Sequence, residues 1–175
     1  MNTLIIGFEW GGPLKQSMID WLYRHGLMRE NNYHSIVATP CVCAKNLAVE
    51  YALSRADKFD WVMFVNNDIC PIENTHKFLE LNTDLACCKC KFAGAANAFA
   101  EVDTFHTALS AIKIGIFRHV PRPWFMYEYN KDFTSLINCD CQRFANMAMD
   151  AGYTVGNAGW CDHRHTGQSL CSPPG

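Results

Sequence analysis

Short apolar runs alternate along the chain with segments that have the residue spacing of a helix. The apolar runs and their flanking turns predict strands at residues 2–8, 33–39, 61–65, 84–92, 107–117 and 153–158. Apolar residues recur every three or four positions, and so predict helices, at residues 14–26, 44–56, 72–81 and 134–153. Residues 94–106 and 119–133 are expected to be loops, the second of them long and on the surface.

The spacing within two of these helices also predicts which side is buried. In the helix at 44–56, Leu47 and Tyr51 are expected to face the core. The helix at 134–153 has the clearest pattern, and its buried stripe is predicted to hold Ile137, Cys141, Phe144 and Ala148. Thr134 or Ser135 is expected to cap its start, with Gly152 just beyond its end.

The run WVMFV at residues 61–65 is apolar throughout and does not alternate with polar residues. A strand of that kind is covered on both faces, as the central parallel strands of α/β sheets are. The fold class predicted is therefore α/β, with a mostly parallel central sheet and helices on both faces. Because no repeat or linker interrupts the chain, one domain is expected over residues 1–175, with 170–175 as a loose tail.

Composition and charge narrow the classes of function. Of the 175 residues, 49% are hydrophobic and 18% are charged, and the formal net charge is −2. A net negative charge argues against binding nucleic acid by charge alone, although Arg118, His119 and Arg122 form a local basic cluster. No apolar run is long enough to span a bilayer, and the first residues lack the basic region of a signal peptide. We therefore expect the cytoplasm, of a cell or of an infected host cell.

Ten cysteines are many for a chain of this length. None of them forms the C-x2-C pair that is typical of a zinc ribbon. Free cysteine behaves as a small buried hydrophobe, and this is the favoured interpretation. Structural zinc held by Cys161, His163, His165 and Cys171 is an alternative, and disulfides are another.

Two polar segments could carry chemistry. Asn66, Asn67 and Asp68 follow the buried run at 61–65 directly, and ligands of open α/β sheets bind beyond the carboxyl ends of the strands. Asp68 is a hard oxygen ligand suited to Mg²⁺ or Mn²⁺, and the alternative is a simple turn that closes the strand. His163 and His165 alternate beside an aspartate, so an extended segment would present both on one face.

The order of these segments resembles the GT-A glycosyltransferases of the family-2 type. The segments that carry the resemblance are AKNLAVEYAL, DWVMFVNNDICP, TALSAIKIGIFRHVPRPWF, INCDCQRFANMAMDAGYTV and HTG, in that order across residues 44–167. The chain is also similar in length to compact virus-encoded members. The resemblance implies the GT-A fold and transfer of a sugar from a nucleotide-diphosphate donor to an acceptor hydroxyl. The acceptor would be a glycan, a protein or a modified DNA base.

The resemblance also implies roles for individual residues. Mn²⁺ or Mg²⁺ would be held by Asp68 and His165, with His163 as the alternative to His165. The donor would be bound by residues at the ends of the first strand and of the 61–65 run and in the second helix, namely Phe8, Glu9, Trp10, Lys45, Asn46, Asn66 and Asn67. The acceptor would lie against aromatic side chains, namely Trp124, Phe125 and Tyr127.

The chain departs from the family pattern where carboxylates are expected. Asn66 replaces the first acidic residue of the metal motif, and Asn138 stands where inverting members carry the general base. Asp140 is the nearest carboxylate to that position and could serve as the base, or it could merely pair with Arg143. If no base is present, a retaining mechanism or a non-catalytic protein that binds nucleotide sugars or a partner is expected.

Overall fold

The computed structural model describes residues 2–9, 12–37, 41–92 and 105–163, and for residues 91, 92 and 163 it describes the backbone alone. The expectations for Trp10, His165, Cys171, the loop at 94–104 and the tail at 170–175 lie outside these residues. The strands are β1 (Thr3–Phe8), β2 (Tyr33–Ile36), β3 (Trp61–Asn66), β4 (Ile69–Pro71), β5 (Leu85–Phe92), β6 (Leu109–Lys113), β7 (Glu128–Tyr129), β8 (Leu136–Asn138) and β9 (Val155–His163). The helices are α1 (Gln16–Arg24), α2 (Cys41–Ser54) and α3 (Asp140–Asp150), with 3₁₀ helices at Thr75–Glu80 and Ile114–Arg118.

Within the described residues, seven strands form one sheet in the order β2-β1-β3-β6-β5-β9-β4. Strands β2, β1, β3, β5 and β9 point the same way, whereas β6 and β4 are antiparallel to their neighbours. The remaining two strands, β7 and β8, form a separate antiparallel hairpin just before α3. The mostly parallel sheet predicted from the sequence is therefore confirmed.

Strand β3 is covered on both faces, as its unbroken apolar run predicted. Val62 and Phe64 face a core formed with α2 and α3, which includes Phe125 and Phe144. Met63 and Val65 face the opposite core, which α1 covers with residues such as Met18, Trp21 and Leu22. Each β3 side chain from Val62 to Val65 is fully buried. Helices therefore lie on both faces of the sheet, with β3 at its centre.

The buried side of α2 differs from the prediction. Leu47 is 56% exposed, and Tyr51 is only partly buried. The side that faces the sheet holds small residues and one lysine, namely Ala44, Lys45, Ala48, Val49 and Ala52. Both sets recur at intervals of three or four residues, so spacing could not choose between them. Small side chains allow the helix to approach the sheet closely, and an ion pair described below keeps Lys45 buried.

Helix α3 begins at Asp140, later than the predicted cap at Thr134 or Ser135. Its N-cap is Cys139, whose sulfur accepts a hydrogen bond from the backbone N–H of Gln142. Ile137, predicted to lie in the buried stripe, belongs to β8 and is 57% exposed. The rest of that stripe is buried as predicted, at Cys141, Phe144 and Ala148. Cysteine is not among the usual N-cap residues, so this start of the helix could not be predicted from its cap.

Two other segments also differ from their predicted forms. Ile114 and Ile116 were expected to continue a strand, but β6 ends at Lys113 and both lie in a 3₁₀ helix. The segment at 119–133 was expected to be a surface loop, but Trp124 and Phe125 are 2% and 0% exposed. None of the nine cysteines among the described residues forms a disulfide there, and five are buried, which agrees with their interpretation as core residues.

Candidate functional site at the carboxyl edge of the sheet

The strands β1, β2 and β3 end side by side at one edge of the sheet. Phe8, the last residue of β1, is paired with Asn66, the last residue of β3. Backbone hydrogen bonds continue past the strand ends, from Glu9 N–H to Ile36 O at 3.1 Å and from Asn67 N–H to Phe8 O at 3.1 Å. Glu9 and the segment Asn66–Asp68 therefore lie together at the edge where open α/β sheets bind ligands.

The segment Asn66–Asp68, called here the β3 turn, is half-buried and tied to its neighbours. The amide of Asn67 donates a hydrogen bond to Gly12 O at 2.7 Å, which fixes the loop after β1. The side-chain oxygen of Asn66 is buried and has no hydrogen-bond partner among the described residues. Buried acceptors are nearly always paired in native proteins. The Asn66 oxygen is therefore a position where a ligand could complete the structure.

Of the predicted metal ligands, Asp68 lies in this turn and the backbone of His163 lies on a neighbouring strand. Ile69, the residue after Asp68, is paired with His163 across β4 and β9. The side chain of His163 and all of His165 lie outside the described structure, so their contact with Asp68 stays a prediction. A carboxylate oxygen, an amide oxygen and an imidazole form a donor set that suits Mn²⁺ or Mg²⁺. The residues present therefore fit a divalent cation.

Glu9 lines a cavity of about 370 Å³. The cavity is lined by the apolar side chains of α1 and its flanking loops, and by Arg29 and Tyr33. The Tyr33 hydroxyl donates a 2.6 Å hydrogen bond to a Glu9 carboxylate oxygen. Burial, together with the hydrogen bond and charge of Glu9, raises the pKa of Tyr33 above its usual range.

Tyr33 reaches Glu9 by crossing over Gly7. A Cβ atom at position 7 would lie 2.4 Å from the Tyr33 hydroxyl oxygen, so only glycine leaves the space this side chain occupies. Phe8, predicted to contact the donor, is fully buried against Phe64, with ring centroids 5.2 Å apart. Of the residues predicted at the end of β1, Glu9 therefore lines the cavity and Phe8 belongs to the core.

Lys45 and Asp140, both predicted at the site, form an ion pair with each other. Lys45 Nζ lies 2.6 Å from Asp140 Oδ2, and the two side chains are 5% and 6% exposed. Burial lowers the pKa of Lys45, but the charges of Cys141 and Asp140 outweigh it and raise that pKa well above its ordinary value. Arg143, considered above as a partner for Asp140, instead donates a hydrogen bond to Pro123 O.

Cysteine and threonine side chains complete the surroundings of this ion pair. Lys45 Nζ also donates to Cys141 Sγ at 3.1 Å, and Thr107 Oγ1 lies 2.9 Å from the same sulfur. We call Lys45, Thr107, Asp140 and Cys141 the α3 cluster. The cluster joins α2, the segment before β6 and the first turn of α3, so it holds the start of α3 in place.

The other predicted donor and acceptor residues are placed less favourably for contact with a ligand. The side-chain amide of Asn46 makes two hydrogen bonds with the backbone of Phe125. It donates to the carbonyl oxygen at 2.8 Å and accepts from the N–H at 3.2 Å. Trp124 is buried and donates its indole N–H to Phe117 O. Tyr127 is only partly buried, at an edge-to-face angle to Tyr129. Of the predicted acceptor residues, Tyr127 is therefore the one with an accessible ring.

A carboxylate that the sequence did not single out lies beside Asn138. The Asn138 amide donates a 2.7 Å hydrogen bond to Glu128, its partner across the β7–β8 hairpin. Glu128 is half-buried, whereas Asp140 is 4% exposed. No signal in the sequence could have identified Glu128, because the hairpin that pairs it with Asn138 was predicted as loop and helix.

The helices in the described part of the chain are all too short or too polar to cross a membrane. No protein-family model and no curated protein sequence matches this chain. Solved structures do resemble it. A197 from STIV, a viral protein, has 15% identity and a TM-score of 0.60, with 92% of this chain and 83% of that one covered.

The catalytic domain of Drosophila beta1,4galactosyltransferase 7, solved in complex with xylobiose, has 13% identity and a TM-score of 0.54. The alignment covers 90% of this chain and 65% of that one. A glycosyltransferase involved in glycosylation of the major capsid of PBCV-1 aligns with a TM-score of 0.43, too low to bear on the fold. At these identities the likeness concerns architecture alone. The chain has the GT-A glycosyltransferase fold that the order of its motifs predicted.

Proposed function

We propose that this protein is a metal-dependent glycosyltransferase that moves a sugar from a nucleotide-diphosphate donor to an acceptor hydroxyl. The observation that carries the proposal is the β3 turn. There Asp68 lies with the buried oxygen of Asn66, which has no hydrogen-bond partner among the described residues, beside the end of β9 on a GT-A fold. This is the edge of the sheet at which such folds bind ligands. The acceptor class, a glycan, a protein or a modified DNA base, is left open by these contacts.

The donor would lie along the ends of β1 and β3. The cavity that holds Glu9 is lined by apolar side chains and Arg29, which suits a nucleoside with a phosphate nearby. Asp68, Asn66 and a histidine at the end of β9, His163 or His165, would hold the cation. A bound Mn²⁺ or Mg²⁺ would offset the charge of the diphosphate as it leaves.

The proton of the acceptor hydroxyl needs a carboxylate that the acceptor can reach. Asp140 is buried and bound to Lys45, so in this conformation its oxygens do not face an incoming hydroxyl. Glu128 is more accessible, is oriented by Asn138, and lies on the same hairpin as Tyr129 and next to Tyr127. We therefore favour Glu128 over Asp140 as the general base.

A non-catalytic protein that binds nucleotide sugars is the second function considered. Amides stand at positions 66 and 138, and Asp140, the carboxylate nearest to position 138 in the sequence pattern, is buried in an ion pair. Such a protein would bind the donor with Mn²⁺ but would not turn it over. One assay therefore distinguishes the two functions.

The test is donor hydrolysis and transfer by the full chain, with a panel of nucleotide-diphosphate sugars and with Mn²⁺, Mg²⁺ or EDTA. Asp68→Ala is expected to lower metal-dependent turnover by about 100-fold or more, because it removes a charged cation ligand. Asp57→Ala, at an exposed carboxylate after α2, is the matched control and should leave turnover unchanged. Turnover by Asp68→Ala at the wild-type rate would contradict the assignment of Asp68 as a metal ligand. Metal-dependent donor binding without turnover in the wild-type chain would favour the second function.

The base is tested with the isosteric variants Glu128→Gln and Asp140→Asn. If Glu128 takes the proton, Glu128→Gln should lose transfer to the acceptor by about 100-fold while donor binding stays unchanged. Asp140→Asn should act mainly on stability. Normal stability with lost transfer in Asp140→Asn alone would instead identify Asp140 as the general base.

A further inference from the structure

Two cysteines at the start of α3 lie close together in very different surroundings. The sulfurs of Cys139 and Cys141 and a carboxylate oxygen of Asp140 all lie within 4.8 Å of one another. Cys139 is exposed at the N-cap, whereas Cys141 is 3% exposed in the core. A disulfide needs Cα atoms about 4.4–6.8 Å apart, and residues two apart at the start of a helix meet that requirement.

The exposed member of the pair is stabilised as a thiolate. The Cys139 sulfur accepts a hydrogen bond from the backbone N–H of Gln142 in the first turn of α3, where the helix dipole favours negative charge. The hydrogen bond from Cys141 contributes most to lowering the pKa of Cys139, and that from Gln142 N–H adds to it, so that the pKa is about 6. The same bond to Cys139, together with burial, raises the pKa of Cys141. At neutral pH the pair therefore holds one proton, on Cys141.

The buried member has groups beside it that can accept its proton and stabilise its anion. Asp140 Oδ1 lies 3.7 Å from Cys141 Sγ, within reach of its proton, and Lys45 Nζ lies 3.1 Å from the same sulfur. The groups that face the pair are thus Lys45 from α2, Asp140 and Thr107, with the Cys41 thiol beyond Lys45. An inert core cysteine would need none of these charged neighbours.

We propose that Cys139 and Cys141 form a redox-active dithiol, in which the exposed Cys139 attacks a substrate disulfide and the buried Cys141 resolves the product. This activity is separate from sugar transfer and does not depend on it. The oxidant is a small-molecule or protein disulfide that can reach the start of α3.

The exchange has two steps. Cys139 thiolate attacks one sulfur of the disulfide, forms a mixed disulfide with it, and releases the other sulfur as a thiolate. Cys141 passes its proton to Asp140 and attacks Cys139 Sγ, which forms the Cys139–Cys141 bond and releases the second sulfur. That sulfur takes the proton from Asp140. The two cysteines are oxidised by two electrons in total, and the substrate disulfide is reduced to a thiol and a thiolate.

A zinc site at the same residues is disfavoured by what already surrounds them. Structural zinc takes four nitrogen or sulfur ligands, and this group offers two sulfurs and one carboxylate. The ammonium group of Lys45 already neutralises the carboxylate at 2.6 Å. A metal ion would have to displace that cation from a buried position.

The first test measures thiol reactivity by peptide mapping of the full chain after brief alkylation with iodoacetamide at pH 6. Cys139 should be alkylated about tenfold faster than Cys43, an exposed cysteine of α2. The larger thiolate fraction outweighs the lower nucleophilicity of a thiolate with a lower pKa. Equal rates at the two cysteines would overturn the proposal, as would stoichiometric zinc that survives dialysis and blocks alkylation.

The second test adds glutathione disulfide. In the wild-type chain the peptide with Cys139 and Cys141 should lose two hydrogens, and dithiothreitol should restore them. Cys141→Ser should stop at a stable glutathione adduct on Cys139, Cys139→Ser should form neither product, and Cys43→Ser should behave as wild type. If the wild-type peptide stays reduced while other cysteines react, the proposal is wrong, and this measurement needs no variant to fold.

Discussion

Two groups of polar residues near the sheet differ in how fully they are paired. In the α3 cluster, Lys45 binds Asp140 at 2.6 Å and Cys141 at 3.1 Å, and Thr107 lies 2.9 Å from the Cys141 sulfur. In the β3 turn, the side-chain oxygen of Asn66 is buried with no hydrogen-bond partner among the described residues. The polar groups of the α3 cluster are thus paired with one another, whereas the Asn66 oxygen has no such partner among the described residues.

The difference separates polar residues that hold the fold from polar residues that are available to a ligand. A buried charge is tolerated when its partners surround it, and removing one partner then destabilises the protein strongly. An unpaired buried acceptor costs stability, about 1–3 kcal/mol, and can be completed by an incoming cation or hydroxyl. We therefore expect substitutions in the α3 cluster to change stability, and substitutions in the β3 turn to change binding.

The largest effect is expected for Lys45→Met, which leaves the buried carboxylate of Asp140 without its cation. The free energy of unfolding should fall by about 3–5 kcal/mol, measured by urea denaturation. Lys58→Met, at an exposed lysine, is the control and should change it by less than about 0.5 kcal/mol. Replacing both partners, as Lys45→Met with Asp140→Leu, should recover much of the loss. A cost below about 1 kcal/mol for Lys45→Met would show that the cluster does not hold α3.

The next effect concerns Gly7→Ala, which tests whether Tyr33 is held over β1. The added Cβ would lie 2.4 Å from the Tyr33 hydroxyl oxygen and would force the ring away from Glu9. Unfolding free energy should fall by about 1–3 kcal/mol, as in other overpacked sites. Tyr33→Phe added to Gly7→Ala should restore part of that loss, because it removes the atom that is too close. An unchanged unfolding free energy in Gly7→Ala would contradict this account of the cavity.

A smaller effect is expected for Cys139→Ala, which removes the N-cap of α3. The cost should be about 0.5–2 kcal/mol, as for other N-caps. Because folding lowers the pKa of Cys139 to about 6, its thiolate adds stability at high pH that is lost as the pH falls through 6. The stability difference between wild type and Cys139→Ala should therefore be larger at pH 8 than at pH 5. A difference that does not change with pH would contradict a thiolate cap.

The smallest effect on stability is expected at Asn66. Asn66→Ala removes an acceptor that has no partner among the described residues, so it should not lower the unfolding free energy by more than about 0.5 kcal/mol. Its effect should appear in metal binding, measured by calorimetry with Mn²⁺. Asn66→Ala should weaken binding, and Asn66→Asp should strengthen it, because a carboxylate adds charge to the donor set. A large loss of stability in Asn66→Ala, with Mn²⁺ binding unchanged, would reverse the roles of the two groups.

Local pattern predicted the strands and the fold better than it predicted the helix faces. The run at 61–65 predicted a strand covered on both sides, because every residue of it is apolar and no face can be left to water. In α2 the same reasoning placed Leu47 in the core, where Ala44, Lys45 and Ala48 lie instead. Lys45 was predicted to bind the donor, and its burial against Asp140 could not be predicted because the two residues are 95 apart along the chain.

The site was predicted in part for the same reason. Asp68 and Asn66 were predicted because they follow a buried strand directly, and Glu9 was predicted from the resemblance to the GT-A family. Glu128 was missed because its contact with Asn138 depends on a two-stranded hairpin with little apolar alternation. Phe125 was assigned to a surface loop because no local pattern shows that Asn46 ties its backbone to α2.

By itself the sequence determined where six of the seven strands of the main sheet lie, and where the polar residues of the sheet edge begin. These follow from interactions between residues that are near one another along the chain. The tertiary structure decided that Lys45, Asp140 and Cys141 form a closed buried cluster, while the oxygen of Asn66 has no partner among the described residues. That distinction depends on contacts between distant segments, and the free energy of a buried polar group is set by which partner, if any, those contacts bring to it.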